Sequence, residues 1–102
     1  MERWEYGTLY TIYPGPDGNA RGLFPRCMFA TDGNRRMFPN SGHKVWNELG
    51  AEGWIIDAEP DAKRFVPEWL EAAAYGEEKL PNPYGTPAEP VWSKQHARRR
   101  VG

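Results

Sequence analysis

Residues 46–56 read Trp46-Asn47-Glu48-Leu49-Gly50-Ala51-Glu52-Gly53-Trp54-Ile55-Ile56, and this stretch decides the fold. Val45, Trp46 and Leu49 fall at i, i+1 and i+4, the apolar stripe of a short helix. The helix spans 42–52, led in by Pro39-Asn40-Ser41-Gly42 with Asn40 or Ser41 as N-cap. Gly53 stands where a helix ends on a left-handed residue, and Trp54 follows at the position that folds back on the last turn. Trp54 to Ala58 is then a short strand. A helix that stops on glycine and runs straight into an apolar strand belongs to an α+β layer. Trp4, Tyr6, Trp46, Leu49, Gly53 and Trp54 are expected to be structural, with the aromatic members sharing one core.

Downstream, Glu59-Pro60-Asp61-Ala62 is a turn and Lys63 to Val66 a returning strand. Pro67, tolerated in a first helical turn, opens a second helix through Tyr75, and Gly76 closes it. Upstream, residues 3–13 alternate: Trp4, Tyr6, Thr8, Tyr10 and Ile12 share one parity, which is the period of a strand. Pro14-Gly15-Pro16-Asp17-Gly18-Asn19 ends it. A second strand returns over 22–31, with Pro25 arguing for an edge or a bulge. After the turn Asp32-Gly33-Asn34, residues 35–38 are a third short strand or a loop. The expectation is a small antiparallel β-β-α-β-β sheet with one or two helices packed on it.

From Glu77 the chain changes character. Pro81, Pro83, Pro87 and Pro90 cannot continue a helix or sit in a central strand, so the segment reads as an extended arm. The division is therefore an α+β domain over 1–76 and a proline-rich arm over 77–102, with Trp92 as an apolar anchor and Lys94, Arg98, Arg99 and Arg100 as a basic tip. Such an arm is expected to serve interaction and to be dispensable for folding.

The 102 residues suit one domain, and 39% hydrophobic with 26% charged is a globular composition. A net charge of −1 excludes the strong basicity of a typical nucleic-acid binder, but charge is uneven. Acids dominate from Glu48 to Glu78, and the end is basic. Cys27 is the single cysteine, which excludes an internal disulfide and a cysteine zinc site. No apolar run follows Met1, and none approaches the ~20 residues needed to cross a bilayer. The expected setting is cytoplasmic, with no membrane contact.

Candidate chemistry is sparse. His43 and His96 are the only histidines, and no spacing sets either beside Cys27 as a nucleophile pair or within a metal-ligand motif. Cys27 reads as a small buried hydrophobe. Glu48 and Glu52, like Glu68 and Glu71, lie along helix surfaces, with Lys44 and Arg64 as available partners, and read as solvated faces. Gly15, Gly18 and Gly22 join strands without the lysine or helix of a phosphate loop. No catalytic residue, metal or cofactor is expected. Two binding candidates remain: the tail Trp92, Arg98, Arg99 and Arg100, able to grip RNA or DNA, and Arg35-Arg36 with Arg21 and Arg26, able to hold an anion. A solubilising end, or docking on an acidic stretch, is the plainer reading of the tail. Ordinary surface arginine is the plainer reading of the second group.

Trp4-Glu5-Tyr6, the stretch from Trp46 to Ile56, and Lys63-Arg64-Phe65 resemble a small family of bacterial and phage proteins classed as a domain of unknown function. Its pattern is W-E-Y, then L-N-x-L-G-x-E-G-W-E-L-V, then a strand ending F-K-R. Ile55 stands where that family has Glu, and the last strand reads KRF. The resemblance covers residues 3–66 and implies the same β-β-α-β-β layer; it implies no activity.

The expected function is non-enzymatic: a small accessory protein, phage-encoded by the resemblance, that contacts a host protein. Aromatics on both parities of the first strand also call for a homodimer to cover them. The alternatives are a nucleic-acid binder using the tail, and a sponge for a small nucleotide held at a dimer interface.

Overall fold

The computed structural model describes residues 3–15, 25–38, 43–57, 63–76 and 91–101. Strand β1 (Trp4–Tyr13) pairs antiparallel with β2 (Arg26–Thr31), which pairs with β3 (Asn34–Phe38). Helix α1 (His43–Ala51) follows, then the short strands β4 (Ile55–Ile56) and β5 (Lys63–Arg64), then helix α2 (Glu68–Tyr75). The last element is β6 (Val91–Arg100). One antiparallel sheet has the order β3-β2-β1-β6-β4, with β5 also on β6. The fold is α+β, as the sequence leads one to expect.

The motif at 46–56 closes as its chemistry dictates. Gly53 has φ 93°, the Trp54 amide donates to the Leu49 carbonyl at 3.1 Å, and the Gly53 amide donates to Gly50 at 2.9 Å. These two bonds satisfy carbonyls that the helix end would leave open. Val45 and Leu49 are the buried stripe of α1. They pack with Leu9, Cys27, Phe29, Phe38, Trp54 and Ala97 on one face of the sheet. Gly7 lies beneath this core. A Cβ there would come within 2.6 Å of the Phe29 ring, which meets Trp54 edge-on at 4.7 Å.

The other face is covered by α2, through Leu70, Ala74 and Tyr75 against Ile12 and Met28, with Tyr10, Val66 and Trp92 at the margin. Two helices on opposite faces explain how β1 carries apolar side chains on both parities within one chain. The helix reaches only one end of its face, and among the described residues no element packs on the other end.

The structure corrects the reading of the C-terminus. Residues 91–100 are a central strand, in register with β1 from Tyr13↔Val91 to Trp4↔Arg100. The reason is visible in the side chains: Ser93, Gln95 and Ala97 are buried while Lys94, His96, Arg98 and Arg100 are exposed. A strand can carry five basic side chains into the middle of a sheet when four of them leave by one exposed face and the fifth, Arg99, finds an acidic partner in Glu5 on the other. The proline segment 80–90 lies outside the described residues.

Three side chains expected in one core are elsewhere. Tyr6 is 68% exposed and Trp4 half-buried, because both stand on the end of the sheet that α2 does not reach. Trp46 is 46% exposed, because it sits beside Val45 around the helix, off the stripe that faces the sheet. The strand expected over 63–66 ends at Arg64, where Phe65 takes φ 59°.

Candidate functional site: the uncovered end of the sheet

Strand pairing arranges the open face in cross-strand rows. Thr8 lies between Ala30 of β2 and His96 of β6. In the next row, Tyr6 opposes Arg98, and Arg98 opposes Ile55 of β4. Trp4 opposes Arg100 at the end. Because Ala30 and Thr8 are small and Tyr6 is large, the surface dips between them. The result is an open trough of about 570 Å³ lined by Tyr6, Thr8, Ala30 and His96, with Asp32 after β2 on one side and Asp57 after β4 on the other.

The far rim is held firmly. The Asp57 amide donates to the His96 carbonyl at 2.9 Å, and the Gln95 side-chain amide donates to the Asp57 carbonyl at 2.8 Å. The near rim is the tight turn Asp32-Gly33, with Gly33 at φ 78°. Beside the trough the Arg98 guanidinium lies 5.3 Å from the Trp4 ring centroid. Lys94 and His96 are exposed on the same face. On the α2 side the aromatic surface continues: Trp69 meets Tyr10 edge-on at 5.2 Å and carries Arg35 at 5.5 Å, and Trp92 stacks on Tyr10 at 6.2 Å.

The residues singled out from sequence separate by face. Arg98 and Arg100 leave by the open face. Arg99 leaves by the other, where it bonds Glu5 at 2.7 Å and lies 4.7 Å over Trp54. Trp92 is part of the α2 core margin rather than an outward anchor. Arg35 and Arg36 are neighbours in β3 and so point to opposite faces. Arg36 reaches α1, where it bonds Glu52 at 2.6 and 2.8 Å and Glu48 at 2.8 Å. The bonds to Glu52, ahead of those to Glu48, raise its pKa above the ordinary arginine value. Arg26 turns to the end of α2, donating to the Ala74 carbonyl and lying 4.8 Å over Tyr75. These arginines therefore form no shared anion site, and Arg21 lies outside the described residues. Glu48 and Glu52 find Arg36 as partner, where Lys44 and Arg64 were the expected ones. Cys27 is buried, within 3.3 Å of the Thr11 hydroxyl.

Sequence reasoning missed Thr8, Ala30, Asp32, Asp57 and His96 as neighbours, and placed Tyr6 in the core. A partial signal for His96 was present: from Trp92 to Arg98 the small or uncharged Ser93, Gln95 and Ala97 alternate with larger side chains, which would set His96 on one face with Trp92, Lys94 and Arg98. No local signal gives the register that joins Thr8 to Ala30 and His96.

Among the described residues no group of three or more His, Cys, Asp or Glu side chains is placed to hold a metal ion, and no helix is long and apolar enough to cross a membrane. No family model, curated protein or solved structure matches the chain.

Proposed function

We propose that the protein is a non-enzymatic binding protein whose open sheet face takes single-stranded nucleic acid. The observation that carries this reading is the sorting of charge and rings by strand parity. Lys94, His96, Arg98 and Arg100 leave β6 on the same face as Trp4 and Tyr6 of β1, while Glu5, Glu48 and Glu52 are engaged by arginines on the other. Side chains two residues apart along a strand stand about 7 Å apart, a spacing comparable with successive phosphates of a stretched single strand. Bases splayed from such a strand stack on aromatic side chains whatever their identity. A net charge of −1 does not oppose this, because the attraction is local and screened beyond a Debye length of about 8 Å.

The test is fluorescence anisotropy of a labelled oligouridine RNA, titrated at several salt concentrations. Three phosphate contacts should give a log–log slope of about −2. Tyr6→Ala should cost about 1–3 kcal/mol of binding, the usual worth of one stacked base. Absence of binding at low salt, or binding indifferent to both Tyr6→Ala and Arg98→Ala, overturns the reading.

A second reading is favoured by one row of the same face. Tyr6 at 68% exposure and Ile55 at 52% flank Arg98, and a ring, an aliphatic side chain and a guanidinium together suit the centre of a protein interface. A protein partner, or a second copy in a homodimer, would cover them. Sedimentation mass identifies the homodimer. Binding that is weakly salt-dependent and lost in Ile55→Ala identifies a protein contact.

A further inference from the structure

The carboxylates of the trough are out of keeping with a surface that only holds phosphates. Asp32 and Asp57 line its two rims on a face otherwise dominated by Lys94, Arg98 and Arg100, and neither is in an ion pair among the described residues. A phosphate placed in the trough would be repelled by both. A ligand that fits must turn its negative charge outward, toward the cations of β6, and present hydrogen-bond donors inward.

We propose that the trough is a base pocket selective for guanine, with the N1–H and 2-amino edge donating to the Asp57 carboxylate. The inference rests on the nucleic-acid reading above and adds base identity to it. Guanine is the base that offers two adjacent donors on one edge, matched to the two oxygens of a carboxylate. Adenine and cytosine offer a single amino group beside an acceptor, and uracil offers one ring N–H between two carbonyls that a carboxylate would repel.

The geometry supports Asp57 as the reader. Its backbone is fixed by His96 on one side and Gln95 on the other, and it stands two residues beyond Ile55, the parity of the open face. Tyr6 supplies a ring at the wall, and the small Thr8 and Ala30 leave the floor low enough for a purine to lie against it. The volume of about 570 Å³ falls within the range of small-ligand pockets. Asp32 on the opposite rim disfavours a base that turns carbonyls that way.

The experiment uses the full chain and three fluorescent heptauridine RNAs, carrying guanosine, inosine or adenosine at the centre. Inosine lacks only the 2-amino group. The guanosine oligomer should bind at least about fivefold more tightly than the adenosine one, with inosine between them, the scale of one good bidentate base contact. Asp57→Asn should bring the three to within twofold of each other without weakening plain oligouridine, whose phosphates lose a repelling charge. GMP should displace the guanosine oligomer more effectively than AMP or UMP. Equal binding of all three oligomers by the wild-type chain sinks the guanine assignment and leaves the nucleic-acid reading standing. An equal loss of every oligomer, uridine included, in Asp57→Asn also sinks it, since Asp57 would then hold the sheet and not the base. Failure of any RNA to bind sinks both.

Discussion

Arg98 and Trp4 meet on a diagonal: their strands set Arg98 opposite Tyr6 and Trp4 opposite Arg100, yet the Arg98 guanidinium stands 5.3 Å over the Trp4 ring. A cation on a half-exposed ring contributes about 0.5–1 kcal/mol. Arg98→Ala is therefore expected to lower the urea-unfolding free energy by no more than about 1 kcal/mol, with a change in tryptophan emission and a marked loss of RNA affinity. A loss of several kcal/mol would make Arg98 a part of the fold rather than of the binding face.

Two tryptophans of the 46–56 stretch should behave differently despite their proximity in sequence. Trp54 is buried, edge-on to Phe29 and beneath Arg99, while Trp46 is 46% exposed. Trp54→Ala is expected to cost about 3–5 kcal/mol. Trp46→Ala should cost about 1 kcal/mol or less, because it leaves no cavity. Equal losses in thermal unfolding would contradict the packing described.

What the sequence yields and what it withholds follow from the range of the forces involved. Gly53 and Trp54 are legible because a helix end is a local event, settled by backbone conformation and one apolar contact within six residues. The alternation of β1 is legible for the same reason. Tyr6 and Trp46 are misplaced because burial depends on where α2 ends on the sheet, which no local pattern states. β6 is misread because a run of lysine and arginine after prolines suggests a solvated tail. Only its pairing with β1, more than seventy residues away, gives every second residue a buried place. The trough is a product of that same pairing, since Thr8, Ala30 and His96 become neighbours through register alone.

Tyr75 should make stability sensitive to alkali. Burial raises its phenol from the ordinary 10.0 to about 12, against the pull of the Arg26 guanidinium. The unfolded chain then releases this proton before the native chain does. The contribution is intact below pH about 10 and is lost as pH rises toward about 12. The loss attributable to Tyr75 should be on the order of 1–2 kcal/mol, less than the full shift because water near the partly buried phenol tempers it. In Tyr75→Phe the fall of unfolding free energy between these pH values should be shallower. Identical pH profiles for the two proteins would show that the phenol ionises freely in the native state.

The strongest consequence of the topology concerns a chain ended at Gly76. Were residues 77–102 an accessory arm, the remainder would melt as the whole protein does. In the sheet, however, β6 lies between β1 and the pair β4 and β5, and those two short strands have their pairing with β6. Its removal exposes the whole edge of β1, leaves β4 and β5 without the strand they pair with, and takes Ala97 from one core and Trp92 from the margin of the other. An unpaired ten-residue edge with apolar side chains on both faces is also a template for aggregation. The truncated chain is expected to lose its cooperative thermal transition and its near-ultraviolet circular dichroism, and to sediment as aggregate. The double variant Arg98→Ala/Arg100→Ala, which removes the basic charge but keeps the strand, should retain a cooperative transition and lose RNA binding. A truncated chain that melts cooperatively near the wild-type temperature would show that β6 is not needed to close the sheet, and the placement of the binding face on β1 and β6 would fall with it.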